Sequence, residues 1–121
     1  MILVDTSVWA EHLRSENRFL RRLLEEKRVR MHPFVLGELA CGNLKRREAT
    51  LDHLRSIPEA VLADHADAFH VLESRRLWGT GVGWIDVHLL ASALITPCLL
   101  WTLDQSLNTA ARALKISYQP A

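Results

Sequence analysis

Cys98-Leu99-Leu100-Trp101-Thr102-Leu103-Asp104 is the stretch on which the fold turns. It is a short apolar run, set off by Thr96-Pro97 and closed by an acid, and it reads as a buried strand leading into a helix start. Ile2-Leu3-Val4-Asp5-Thr6-Ser7 repeats the arrangement at the beginning of the chain. Between the two, short apolar runs alternate with helical patterns, and no hairpin signal separates them. This predicts an α/β fold in three layers, a central parallel sheet with helices on both faces, because parallel neighbours need helical crossovers and burial on both sides. In such a sheet the carboxyl ends of the strands share one edge, where ligands bind.

Outward from these two runs, Val8, Trp9, His12 and Leu13 keep a helical period. A second helix is predicted over residues 17–27, with Phe19, Leu20, Leu23 and Leu24 on one face and Arg18, Arg21, Arg22, Glu25 and Glu26 on the other. Residues 29–32 read as a strand, and Pro33 opens a helix that Gly42-Asn43 stops. Further helices are predicted over 48–55, over 64–78 with Asp64 as cap, over 84–95 and over 105–114. Val61-Leu62-Ala63 and residues 116–118 read as two more brief strands, about five in all, and Gly79-Thr80-Gly81-Val82-Gly83 is the glycine-rich loop.

Composition bounds the function. The chain has 121 residues, of which 49% are hydrophobic, enough for one packed domain spanning residues 1–121 and too rich in core formers for disorder, a collagen-like repeat or a coiled-coil rod. A formal net charge of +1 gives no strong overall attraction to nucleic acid or to an anionic membrane, so a polyanion needs a local patch or a metal. Cys41 and Cys98 lack partners at ligand spacing, which excludes a zinc finger and a disulfide scaffold and leaves both as small apolar residues expected inside. The apolar start is cut short by Asp5, unlike a signal peptide, and the nearly uncharged stretch 89–103 contains Pro97 and falls short of the ~20 residues of a spanning helix. The expectation is a soluble cytoplasmic protein with no membrane partner.

Four carboxylates stand out by position. Asp5 and Asp104 close the two best strands and so share one sheet edge. Glu38 is flanked at helical spacing by Phe34, Val35, Leu39 and Cys41, and Asp86 opens the stripe Asp86, Leu89, Leu90, Ala93. A carboxylate beside a core is costly unless it is paired, hydrogen-bonded or on a metal. Taken singly, Asp5, Asp86 and Asp104 also fit helix N-caps, and Glu38 fits a structural salt bridge. Taken together, the four fit one acidic pocket, unstable without cations because like charges repel. Oxygen-only donors select hard cations, Mg²⁺ or Mn²⁺.

Leu3-Val4-Asp5-Thr6-Ser7, the internal Glu38, Asp86-Val87-His88-Leu89-Leu90-Ala91-Ser92-Ala93 and Thr102-Leu103-Asp104 resemble the four acidic motifs of PIN-domain ribonucleases, and the chain as a whole resembles the VapC-type toxins of type II toxin–antitoxin pairs. The resemblance covers residues 2 to about 114. It implies a five-stranded parallel sheet and a metal-dependent endoribonuclease that cuts RNA with water as nucleophile. It also implies Asp5, Asp86 and Asp104 as metal ligands, Glu38 beside them as the fourth catalytic acid, and Thr6 and Ser7 as hydroxyl support. As partners it implies an RNA substrate, a small VapB-like antitoxin and a second copy of the chain in a homodimer. The face of Trp9, Leu13, Phe19, Leu20, Leu23 and Leu24 is the candidate antitoxin groove, although the core is expected to claim much of it.

The chain departs from the family pattern at three places. Ser106 stands where many relatives carry a further acid, Ile85 precedes Asp86 where a polar residue is common, and the loop 79–83 lacks basic residues. The RNA-contact candidates are therefore the basic runs Lys45-Arg46-Arg47 and Arg75-Arg76. Residues 18–27 read instead as a solvated face interleaved with glutamates. Trp9, Trp78, Trp84 and Trp101 fit core or interface packing better than base stacking, and the histidines show no metal spacing. A receiver-like phosphoacceptor domain is disfavoured because Thr6-Ser7 follow Asp5 and the late Lys115 follows a helix. An RNA-processing PIN nuclease outside toxin–antitoxin systems and a non-catalytic PIN-like module remain as alternatives.

Overall fold

In the computed structural model, which describes residues 1–120, the chain runs β1 (Ile2–Val4), α1 (Thr6–Arg14), α2 (Arg18–Glu25), β2 (Val29–Arg30), α3 (Pro33–Ala40), α4 (Arg47–Ser56), α5 (His65–Ser74), α6 (Trp84–Ile95), β3 (Leu99–Trp101) and α7 (Gln105–Ala113). The strands form one parallel sheet in the order β2-β1-β3. The two runs that decided the fold are therefore sheet neighbours, with Ile2 opposite Leu99 and Val4 opposite Trp101. Ile2, Leu3 and Val4 are all buried, as a central parallel strand requires. The most buried helix is α6, closed to solvent from Val87 to Ala93 and packed on α5 and β3. Among the described residues no helix is long and apolar enough to cross a membrane.

The sheet has three strands where about five were predicted. Of the two other segments, 116–118 makes a single bridge, Leu100 with Ser117, and 61–63 makes none, the bridge on that edge joining Met31 to Glu59. The reason lies in where their backbone donors go. The N–H groups of Val61 and Ala63 donate to Thr96 Oγ1 and Ser92 Oγ, both at 3.0 Å, so this segment is tied to α6 by side chains instead of to the sheet. Pro58 has no N–H to offer a ladder. At the other edge, Ile116 and Tyr118 bond to Leu100 at 2.7 and 2.9 Å, and Pro120 then stops any further pairing.

Helix α5 ends at Ser74, short of the predicted 78. Arg76 takes the left-handed conformation (φ 52°), the Leu77 N–H returns to the Leu72 carbonyl at 3.1 Å, and that of Arg76 to Glu73 at 3.3 Å. This is a Schellman closure with arginine where glycine is usual, so the stop had no glycine to announce it. Cys98 is buried as expected, whereas Cys41 is exposed, because it caps the end of α3 at the surface. The proposed antitoxin face is also revised. Trp9, Leu20 and Leu23 are core residues, and Leu13, Phe19 and Leu24 are half-covered against them. The amphipathic stripe that looked like a groove is the face that packs inward.

Helix α3 begins in a cluster of rings. His32 caps it, its Nδ1 accepting the Phe34 N–H at 3.0 Å, while its Nε2 is buried without a partner. Phe34 lies 5.0 Å from both His32 and His88, and Trp84 meets His88 edge-on at 4.7 Å. Burial, with His88 as a second cause, lowers the His32 pKa from its ordinary 6.5 to about 4.

Two stability outcomes follow. Ser92→Ala leaves the Ala63 N–H buried without an acceptor and should cost about 1–3 kcal/mol in urea unfolding. His32 stays neutral when folded and charges near its ordinary value when unfolded, so its contribution is complete above pH 6.5 and declines as the pH falls toward 4. The loss should reach about 2 kcal/mol near pH 5. In His32→Asn, which retains a capping oxygen, the unfolding midpoint should fall less steeply between about pH 7 and pH 5 than in the parent.

Candidate active site

The carboxyl edge of the sheet carries a cleft of about 520 Å³, and Asp5, Glu38, Asp86 and Asp104 all line it, with Thr6, Ser7, Gly83, Trp84 and Ile85 completing the walls. Each acid arrives on a different element. Asp5 follows β1 and is nearly fully buried, 7% exposed, with its N–H donating to the Trp101 carbonyl at 2.9 Å. Parallel pairing of β1 with β3 then sets Asp104 beside it, one turn of chain beyond Trp101. Glu38 projects from α3 and Asp86 from the first turn of α6.

The capping alternatives separate at this point. Asp5 occupies the N-cap position of α1 but its side chain caps nothing. Its Oδ2 instead accepts the hydroxyls of Ser7 (2.8 Å) and Thr102 (2.7 Å). Asp104 is a true cap, with Oδ1 accepting the Leu107 N–H at 2.8 Å. Asp86 sits at the third position of α6, where Oδ2 accepts the Gly83 N–H at 3.0 Å. One oxygen of each of these two is thus used structurally, and among the described residues the other makes no protein hydrogen bond. Glu38 accepts the Thr6 hydroxyl at 2.9 Å on Oε1. The arginine salt bridge open to Glu38 does not form: among the described residues the ion pairs join Arg21 to Glu16 and Glu25, and Arg28 to Glu26.

Electrostatics record the crowding. The Asp86 carboxyl is pushed above the ordinary carboxylate range, chiefly by burial, against the Gly83 hydrogen bond and with the charges of Asp5, Asp104 and Glu38 adding to the rise. Among the described residues none of the four acids has a basic ion-pair partner, so the cleft could take a cation. The donor set is all oxygen, which suits a hard divalent ion. Among the described residues no three His, Cys, Asp or Glu groups stand close enough together to hold a metal ion between them. An open, one-sided acidic wall fits an ion that keeps several of its waters, as Mg²⁺ does.

Thr6 and Ser7, expected as hydroxyl support, bond to Glu38 and Asp5 respectively. Two contributors were missed. Thr102 bonds Asp5 through its hydroxyl and also accepts the Asp104 N–H at 3.0 Å, so it links both strand-end acids. Its signal was its place two residues before Asp104. Gly83, which orients Asp86 by its N–H, had the signal of standing three residues ahead of an acid at a helix start. The departures also acquire a place. A side chain on Gly81 (φ 93°) would come within 2.7 Å of Ser106 Oγ, so the glycine loop packs where relatives carry a further acid, and Ile85 lines the cleft with an apolar surface.

The basic candidates are not brought together. Lys45 lines a neighbouring cleft, and Arg75 and Arg76 line another. Arg46 sits in a left-handed turn (φ 47°) before α4. Arg47 folds back onto the carbonyls of Ala40 (2.8 Å) and Gly42 (3.2 Å).

The PIN domain family profile matches residues 2–113. Ribonuclease VapC32 of Mycobacterium tuberculosis, in strain CDC 1551 / Oshkosh and in strain ATCC 25618 / H37Rv, is 43% identical over 111 residues, which cover 91% of this chain and 90% of that protein. The span of the family profile includes the positions of all four acids, and the chain belongs to the PIN domain family, among its VapC-type members.

Proposed function

We propose that this chain is a metal-dependent endoribonuclease, the toxin of a VapBC-type pair, acting as one nuclease domain in the cytoplasm. The reading rests on one observation above the others: four unpaired carboxylates line a single cleft at the carboxyl edge of a parallel sheet. The similarity to a protein named a ribonuclease sets the reaction class. Asp5 and Asp104 would hold Mg²⁺ or Mn²⁺, with Asp86 completing the set through the oxygen its helix leaves free. Such an ion neutralises charge on a phosphodiester and lowers the pKa of a bound water. Glu38, held by Thr6, would orient an attacking water and accept its proton. Ser7 and Thr102 fix the Asp5 carboxylate so that one oxygen is committed to hydroxyls and the other is left for a ligand. Lys45, Arg75 and Arg76 contact RNA phosphates, whereas Arg47 is engaged with its own helix end. A VapB-like antitoxin and a second copy of the chain are the expected protein partners.

Purified protein should cut total RNA with Mg²⁺ or Mn²⁺, fail in EDTA, and lose the activity in Asp5→Asn. A folded protein that leaves every RNA class intact in both metals would sink the proposal. Thr102→Val keeps the shape but removes the hydroxyl that joins Asp5 to Asp104. It should lower activity about 10–100-fold and raise the metal concentration needed for half-maximal rate. An unchanged metal requirement would show that Thr102 does not position the acids.

A further inference from the structure

How many cations the acidic cleft can hold depends on which of its carboxylate oxygens are still free. Asp5 Oδ2 accepts two hydroxyls, those of Ser7 and Thr102. Asp86 Oδ2 accepts the Gly83 N–H, Asp104 Oδ1 the Leu107 N–H, and Glu38 Oε1 the Thr6 hydroxyl. Among the described residues each acid therefore enters the cleft with one oxygen engaged and one clear. The hydroxyls are occupied too, since Ser7 Oγ also accepts the Leu103 N–H at 3.0 Å. The remaining walls, Gly83, Trp84 and Ile85, bring no side-chain oxygen.

Two ions arranged to act on one phosphodiester stand about 3.5–4 Å apart. At that spacing a carboxylate joins them by placing one oxygen on each, and none of these four acids has both oxygens clear. One octahedral ion, by contrast, is served by four oxygens and by water. Among the described residues no three of the acids converge on one point, so even a single ion meets some of them through its own waters.

A second ion needs a further acid at this edge. Two residues past Asp104 the chain instead has Ser106, which lines a different cleft, with Arg75 and Arg76, and not the acidic one. The glycine loop is packed against it. A Cβ on Gly81 would meet Ser106 Oγ at 2.7 Å and Ser106 Cβ at 3.3 Å, which leaves no room between the two for another side-chain atom. Gly81 holds a left-handed conformation (φ 93°) that suits glycine, and two residues on Gly83 reaches the acidic cleft.

We infer that the acidic cleft takes a single divalent ion, and that the serine at position 106, packed under the glycine loop, is what withholds a second. The inference rests on the metal-dependent reading for the presence of an ion, whereas the number follows from the oxygens.

The test counts Mn²⁺ on the full-length chain without RNA, by the electron paramagnetic resonance signal of the free ion and by titration calorimetry. The parent should bind one Mn²⁺ per chain, and Asp104→Asn, which keeps a capping oxygen, should weaken that binding roughly tenfold or more. Ser106→Ala and Ser106→Asn should bind one ion as the parent does, because neither adds a charge. Ser106→Asp should take up a second, weaker ion as the larger side chain displaces the loop. Circular dichroism checks that each variant is folded, and Ser106→Glu tests the position where the aspartate does not fold. Two ions in the parent overturn the inference, as does no binding by the folded parent at millimolar Mn²⁺. A folded acidic variant that still binds one ion overturns the part assigned to position 106. RNA cleavage is read separately. One bound ion in a chain that cuts no RNA upholds the count and sinks the nuclease reading, and cleavage with two bound ions does the reverse.

Discussion

A buried carboxylate without a counter-charge governs this fold. Asp5 is nearly shut from solvent at the end of the central strand, and among the described residues its side chain is held by the hydroxyls of Ser7 and Thr102 alone. Those bonds join the carboxyl end of β1 to that of β3, and the Asp5 N–H adds a third tie to Trp101. Neutral hydroxyls offset part of the desolvation cost but supply no opposite charge. The arrangement holds the carboxylate in place without neutralising it, which is the condition from which the proposed cation site is argued.

The other acids share the design in different ways. Asp104 and Asp86 each give one oxygen to a helix N-terminus, where the helix dipole favours negative charge. Glu38 leans on Thr6, the first residue of α1. Helix starts thus hold the charges in place, while burial, with repulsion from the other three acids adding to it, raises the Asp86 carboxyl. Among the described residues no arginine or lysine is within ion-pair range of these four acids, so the cleft keeps its charge.

Much of this was legible in the chain because its signals are local. The alternation of Cys98–Thr102-like apolar runs with helical stripes showed the parallel sheet, and acids at the ends of those runs marked its edge. The misreadings have equally particular causes. Val61-Leu62-Ala63 has strand composition, yet Ser92 and Thr96 of α6 capture its N–H groups. Phe19, Leu20, Leu23 and Leu24 form a stripe that hydropathy cannot assign to core or to partner. Within Lys45-Arg46-Arg47, three similar charges meet different fates because only Arg47 reaches the end of α3.

By itself the sequence determined the α/β class, the helix sites and the three fully paired strands to within a few residues, and the four acids as a set, since each depends on neighbours within a few positions along the chain. Tertiary structure alone decided that three strands pair in full, that Thr102 and Gly83 complete the acidic cleft, that Arg47 folds back onto the end of α3, and that Trp9 lies inside. These outcomes depend on which donors and charges meet across dozens of residues. Hydrogen-bond geometry and burial settle that only once the chain has packed.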